Sequence, residues 1–141
     1  MMYKLEGIFL KTNIILLERN WKNKAILIVD DDPTSILLFE EFLADTEAII
    51  FSAANSAEAL EILKNHPIDV ILMDLQLEDI SGFILTSRIR NIYPNIPIIA
   101  ETAFASTEDR RKCIASGFNG YLSKPIFLEN LFNELDRYLR S

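Results

Sequence analysis

From residue 24 onward, short apolar runs alternate with segments whose apolar residues recur at helical spacing. The short runs are typical of strands, and one of them, IDVILMD, has almost no polar residue, as expected for a strand covered on both faces. Five successive units of strand then helix predict a parallel sheet with helices on both sides. The predicted strands are residues 25–29, 48–53, 68–74, 96–102 and 120–122.

Residues that begin or end helices stand at the borders of the helical segments. Asp32 followed by Pro33 predicts a helix N-cap with proline at the first helical position. Either Asn55 or Ser56 can cap the second helix. Gly117 stands just past the fourth helical segment, at the position that glycine favours after a helix end. The borders therefore support five helices, one after each strand.

The last helical segment carries an apolar stripe that is flanked by further apolar residues. The stripe predicts a helix face packed on the core. The flanking residues leave two interpretations open, a broader core contact or a surface for a partner. The stripe consists of Leu128, Leu131, Leu135 and Tyr138, and the flanking residues are Phe127, Phe132 and Leu139.

Composition limits the class of protein. A chain of 141 residues with 50% hydrophobic residues forms one domain with a sizeable core. The net charge of -7 argues against a nucleic-acid surface, which needs a basic patch. The single cysteine, Cys113, excludes an internal disulfide and fits a reducing compartment, so we expect a cytoplasmic location.

The N-terminal residues differ from the rest of the chain. GIFL and IILL are separated by polar residues, so neither forms the unbroken apolar region of a signal peptide. No run approaches the roughly 20 apolar residues that span a bilayer, so we expect no membrane insertion. We assign residues 1–23 to an extension or linker and residues 24–141 to the folded domain.

Charged and hydroxyl side chains stand where the predicted strands end. Asp30 and Asp31 follow the first strand, Asp74 ends the third, Thr102 ends the fourth and Lys124 comes just after the fifth. In open parallel sheets the functional crevice lies at the carboxyl ends of the strands. The sequence therefore predicts that three carboxylates, a hydroxyl and an ammonium converge on one site.

These side chains suit a divalent metal beside a phosphoryl group. Adjacent carboxylates repel one another, and Mg²⁺ prefers oxygen ligands and often pairs one or two carboxylates with phosphate oxygens. Lys124 and Thr102 suit the anion. An aspartate can itself be the nucleophile in phosphoryl transfer, and Asp74, at the end of the most apolar strand, is the natural candidate.

The chain resembles the receiver domains of two-component response regulators. The resemblance rests on ILIVDDDP, DVILMDLQLEDISG, PIIAETA and GYLSKPI, which occur in the family's order from residue 25 to the C-terminus. It implies an α/β, flavodoxin-like, doubly wound (βα)5 fold with a five-stranded parallel sheet in the order 2-1-3-4-5. The stretch CIASGFNGYLSKPI is most similar to receivers of hybrid sensor histidine kinases.

The resemblance implies a role for each matched residue. Asp74 matches the phosphoacceptor, Thr102 the hydroxyl that senses the phosphoryl group, and Lys124 the phosphate-binding lysine. Tyr121 matches the aromatic residue that swings inward when the threonine moves. The implied ligands of Mg²⁺ (or Mn²⁺) are Asp31, Asp30 through water, Asp74 and the backbone carbonyl of Gln76. Gln76 and Phe104 match the positions that tune the lifetime of the phosphoryl group.

The implied function is phosphorelay signalling. The expected partner is a sensor histidine kinase or a histidine phosphotransfer protein, whose phosphohistidine supplies the phosphoryl group. Modification then switches the interaction surface. We expect no output domain in this chain and no enzyme activity beyond its own phosphorylation and dephosphorylation. A homodimer through the fourth and fifth helices, or through the N-terminal extension, is left open.

Two other functions fit these residues less well. A phosphatase or mutase with an aspartate nucleophile typically needs an acid two residues later, where this chain has Gln76. A degenerate receiver acting as a scaffold would not need the acidic pair, Thr102 and Lys124. The sequence also departs from the family pattern at Glu78, where proline is common, and at Glu101, where a hydrophobic residue is common.

Overall fold

The computed structural model describes residues 19–103 and 106–140, and in this part of the chain strands and helices alternate as predicted. Five parallel strands form one sheet in the order β2-β1-β3-β4-β5, which confirms the predicted doubly wound fold. The strands are β1 (Ala25–Val29), β2 (Ile49–Ala53), β3 (Val70–Asp74), β4 (Ile98–Thr102) and β5 (Gly120–Ser123). The helices are α1 (Pro33–Leu43), α2 (Ser56–Asn65), α3 (Gly82–Ile92), α4 (Thr107–Ala115) and α5 (Leu128–Leu139).

The predicted helix caps are present. The side chain of Asp32 accepts a hydrogen bond from the Thr34 N–H, with Pro33 at the first helical position. Asn55, rather than Ser56, caps α2. After α4, Gly117 has a φ of 99°, a left-handed conformation that glycine adopts without strain. These local signals therefore place the helix ends close to where the sequence predicts them.

Two apolar cores lie on opposite faces of the sheet, as expected for a doubly wound fold. Every residue of β1, β3 and β4 is buried. Burial of each leucine or isoleucine side chain in these strands contributes about 1.5–3 kcal/mol to the free energy of unfolding. Cys113 packs in one core between α4 and the sheet, as a small apolar residue would. The rigid central strands fix the positions of the polar residues at their carboxyl ends.

The apolar residues that flank the stripe on α5 belong mainly to the core. Phe132 and Leu139 are buried in the same core as Leu131 and Leu135, whereas Phe127, just before the helix, is 62% exposed. Of the two interpretations left open by the sequence, a broader core contact therefore describes Phe132 and Leu139. Phe127 alone of the three remains available to a partner.

The residues before β1 pack on the domain. Trp21 is 3% exposed, and its ring meets that of Phe132 edge to face with 5.3 Å between centroids. The backbone N–H of Trp21 donates to the carbonyl of Thr46 over 2.7 Å. Arg19 Nε lies 2.8 Å from Oδ2 of Asp136 on α5. The division at residues 23 and 24 stays a prediction, but the buried core extends back to Trp21.

None of the helices within residues 19–103 and 106–140 has the length and apolar character needed to cross a bilayer. The N-terminal segments GIFL and IILL lie outside the described residues.

His66, which follows α2, is exposed and stacks on Phe51 with 4.4 Å between ring centroids. His66 is therefore a loop residue.

Candidate functional site

The carboxyl ends of β1 and β3 bring three carboxylates together. Asp74 is the last residue of β3, and Asp30 continues β1, since its N–H donates to the carbonyl of Ala53 over 3.0 Å. One carboxylate oxygen from each of Asp30, Asp31 and Asp74 lies within 4.8 Å of the others. Oxygen ligands at this spacing suit a hard divalent cation such as Mg²⁺.

Asp30 is the most enclosed of the three carboxylates. It is 1% exposed; Oδ1 accepts a hydrogen bond from the Asp32 N–H over 2.9 Å, whereas Oδ2 is buried and accepts none from the described residues. Burial is the main cause that raises the pKa of Asp30 to about 6, and the charge of Asp74 adds to it. A buried carboxylate oxygen without a donor fits a site that a cation or its bound water would complete.

Asp74 is paired with Lys124. Nζ of Lys124 lies 3.3 Å from Oδ1 of Asp74, and the N–H of Gln76 donates to the same oxygen over 3.0 Å. Burial alone would lower the pKa of Lys124, but the nearby charges of Asp74, Glu101 and Asp30 outweigh it and raise the pKa. The ammonium is therefore held in its charged form beside the predicted acceptor.

The other two residues of the aspartate run have different contacts. Asp31 is half-buried, and its Oδ2 accepts a hydrogen bond from the Glu78 N–H over 2.9 Å. Asp32 is exposed, and both of its oxygens bind the first turn of α1, Oδ1 to the Thr34 N–H and Oδ2 to the Ser35 hydroxyl. The structure therefore separates Asp31, beside the metal site, from Asp32, the helix cap.

Thr102 reaches the same edge of the sheet at the end of β4. It is 3% exposed, and its carbonyl accepts a hydrogen bond from the N–H of Lys124 over 2.7 Å, which joins the ends of β4 and β5. The peptide bond between Lys124 and Pro125 is cis. Thr102 and Lys124 therefore stand next to each other along the backbone, at the ends of neighbouring strands.

Tyr121 lies on β5, and its side chain is half-buried. The Arg110 guanidinium lies 5.0 Å from its ring centroid, and the Ser123 hydroxyl donates to its hydroxyl over 3.2 Å. The switch role of Tyr121 stays a prediction. Gln76 is exposed, and Phe104 lies outside the described residues, so the lifetime roles of both also stay predictions.

The sequence reasoning missed the role of Gly82 at the start of α3. A Cβ at this position would lie 2.4 Å from the carbonyl oxygen of Asp74 and 2.8 Å from Cα of Leu75. Only glycine therefore lets α3 approach the end of β3 this closely. The available signal in the sequence is the pair Ser81-Gly82 at the start of the third helical segment.

Glu101 is a further acidic group near the site. The sequence did not predict that its carboxyl group is buried there. It is fully buried, and no described residue donates a hydrogen bond to either of its carboxylate oxygens. Burial, followed by the charge of Asp30, raises the pKa of Glu101 well above its ordinary value. A glutamate inside an apolar strand was the available signal.

Comparison with known proteins identifies the family of this arrangement. The response regulator receiver domain family matches residues 26–136. The sensor histidine kinase RcsC of Escherichia coli is 34% identical over 113 residues, which cover 80% of this chain and 12% of the kinase. The polar-differentiation response regulator DivK of Brucella anthropi is 32% identical over 118 residues, covering 82% of this chain and 96% of DivK.

One solved structure is similar to this chain over most of the length of both. It is the receiver domain of the sensor histidine kinase PA1611 of Pseudomonas aeruginosa, with a magnesium ion coordinated in its active-site cleft. The TM-score is 0.75 at 32% identity, and the match covers 84% of this chain and 98% of that domain. The chain therefore belongs to the response regulator receiver domain family, whose members act in two-component phosphorelay signalling.

Proposed function

We propose that Asp74 accepts a phosphoryl group from a phosphohistidine in a reaction that depends on Mg²⁺ (or Mn²⁺). The proposal rests on the groups that surround Asp74. It is 4% exposed, with two further carboxylates in a cluster spanning 4.8 Å and an ammonium 3.3 Å from Oδ1. The donor is a sensor histidine kinase or a histidine phosphotransfer protein.

The residues at this edge of the sheet have separate roles in binding the metal and the phosphoryl group. Asp31, Asp74 and the carbonyl of Gln76 would hold the metal directly, and Asp30 would hold it through water. The bound metal would neutralise carboxylate and phosphoryl oxygens. Lys124 stays charged and can pair with a phosphoryl oxygen once Asp74 has reacted.

The transfer exchanges one bond for another. A carboxylate oxygen of Asp74 forms a bond to phosphorus while the bond from phosphorus to the donor's imidazole nitrogen breaks. The nitrogen keeps the electron pair, and the donor histidine is released in its unphosphorylated form. Because Asp74 enters as a carboxylate, the step needs no proton to be removed from the nucleophile.

Phosphorylation then shifts the balance between two arrangements of the surface. The hydroxyl of Thr102 would bind the phosphoryl group, and Tyr121 would move inward, leaving its contacts with Arg110 and Ser123. Apart from its own phosphorylation and dephosphorylation the domain would catalyse nothing. We place it in the cytoplasm, where its donor's phosphohistidine is available, and homodimerisation through α4 and α5 or the N-terminal extension stays part of the proposal.

Acetyl phosphate with Mg²⁺ tests the acceptor. Mass spectrometry of the intact protein should show one added phosphoryl group, which Asp74→Asn should not accept. Asp32→Asn is a matched control, since asparagine caps a helix as well as aspartate does, and this variant should be phosphorylated. The same adduct on Asp74→Asn would show that the acceptor is another residue.

A further inference from the structure

The backbone of Glu78 contacts a metal-site residue that lies 47 positions earlier in the chain. Its N–H donates to Oδ2 of Asp31 over 2.9 Å. A carboxylate has about four lone-pair sites on its two oxygens, so this bond leaves Oδ1 available to another partner. Only the amide of Glu78 takes part, and a proline at this position would lack the donor.

The segment around Glu78 is attached to the domain at further points. Oδ2 of Asp79 accepts hydrogen bonds from both the N–H and the hydroxyl of Ser56, at the start of α2. At the other side, the N–H of Gly82 donates to the carbonyl of Leu75 over 3.0 Å. The loop between β3 and α3 is therefore held between the start of α2, the end of β3 and Asp31.

We propose that the Glu78 amide is a positioning group for the metal site. It orients Asp31 so that Oδ1 faces the cation, and it holds the Asp31 carboxylate in a constant position relative to the loop that carries the Gln76 carbonyl. The two ligands then need little rearrangement when the metal binds. This inference rests on the proposed function, since it takes Asp31 and Gln76 as ligands.

The affinity for Mg²⁺ alone tests the proposal without any phosphoryl donor. We compare Glu78→Pro with Glu78→Ala, since both lack the glutamate side chain and only the alanine variant keeps the N–H. Chemical-shift titration by ¹H–¹⁵N NMR should give a Kd that is about tenfold higher for the proline variant, at the low end of the effect of outer partners of metal ligands. Equal Kd values, or a lower Kd for Glu78→Pro, would overturn the proposal.

An Asp31→Ala arm separates this inference from the proposed function. If Asp31→Ala weakens Mg²⁺ binding by at least about tenfold while the two Glu78 variants bind equally, the metal site stands and only the positioning role of the amide fails. If Asp31→Ala binds Mg²⁺ as the wild type does, the proposed ligand set itself is wrong, whatever the Glu78 variants do.

Proline also restricts the residue before it, so a measurement on the wild-type protein is needed beside the variants. Hydrogen exchange of the Glu78 amide should be slow without metal and should stay slow when Mg²⁺ saturates the site. In Asp31→Ala the same amide should exchange faster. Fast exchange of the wild-type amide on adding Mg²⁺ would mean that the cation displaces the hydrogen bond, and the positioning role would be refuted even if Glu78→Pro does not fold.

Discussion

Nζ of Lys124 lies 3.3 Å from Oδ1 of Asp74, so the predicted acceptor has a cationic partner before any metal binds. The charge of Lys124 also acts on Glu101 and Asp30, but no ion pair joins it to either of them among the described residues. Glu101 stands opposite Asp74 on the neighbouring strand, and both of its oxygens, like Oδ2 of Asp30, are buried without a hydrogen-bond donor among the described residues. Burial of these groups makes their ionisation costly to the folded state.

The first prediction concerns the stability of the metal-free protein as a function of pH. The pKa of Asp30 is raised to about 6 and that of Glu101 is raised well above its usual range. Between pH 5 and pH 7.5 the folded state therefore binds more protons than the unfolded state, and the free energy of unfolding decreases as pH rises. We expect a loss of about 1–3 kcal/mol, measured by urea denaturation in the presence of a chelator.

Mg²⁺ and a substitution provide the controls for this pH dependence. Saturating Mg²⁺ should reduce the loss, because it favours ionised Asp30. Glu101→Leu should raise the free energy of unfolding at pH 7.5 by about 1–3 kcal/mol, since it removes a carboxyl group whose ionisation is opposed by burial and by the charge of Asp30. A stability that stays constant or increases from pH 5 to pH 7.5 without metal would show that these carboxyl groups titrate normally.

The second prediction concerns the residues before β1. A chain that lacks residues 1–18 should fold and be phosphorylated like the full chain, because Arg19 and Trp21 remain. Trp21→Ala should lower the free energy of unfolding by about 3–5 kcal/mol, since it empties a buried site against Phe132. Arg19→Ala should cost at most about 1 kcal/mol, because its ion pair with Asp136 is partly exposed.

Denaturation curves of these variants decide where the folded unit begins. Equal losses for Trp21→Ala and Arg19→Ala would contradict a core that includes Trp21. Light scattering of the shortened chain tests a separate idea, that the extension helps self-association, which an unchanged oligomeric state would argue against.

The third prediction separates two neighbouring aspartates. Asp31→Ala should weaken Mg²⁺ binding by at least about tenfold, because it removes a proposed ligand. Asp32→Ala should change Mg²⁺ binding little and should instead destabilise α1 by about 1 kcal/mol, because both oxygens of Asp32 bind the first helical turn. Metal titration combined with thermal unfolding measures both effects, and similar losses of affinity in the two variants would contradict the division.

The fourth prediction concerns the lifetime of the phosphoryl group and derives from the sequence. Gln76 cannot act as a general base at neutral pH, and the bulky Phe104 should limit the approach of water to Asp74. We therefore expect slow self-dephosphorylation. Phe104→Ala should raise the rate several-fold, since a tenfold change needs only about 1.4 kcal/mol of barrier. Decay of the phosphorylated form in Mg²⁺ measures it, and an unchanged or slower rate would exclude steric shielding.

The order of elements and the main site residues could be predicted from local patterns. Apolar runs and helical spacing are properties of a few consecutive residues, and so are the caps at Asp32 and Asn55. Since parallel strands end at one edge, the polar residues after β1, β3, β4 and β5 had to converge there. The strand order 2-1-3-4-5 came from the resemblance and is confirmed by the pairing of the strands.

Contacts between distant segments were decided by the tertiary structure. The sequence placed Phe132 and Leu139 beside the α5 stripe but could not say what covers them, because Trp21 reaches Phe132 only after the chain folds. The same holds for the Glu78 amide on Asp31 and for the approach of Gly82 to Asp74. Local patterns specify which face of an element is apolar, whereas the partners of that face, and the burial of an acid such as Glu101, depend on how all elements pack together.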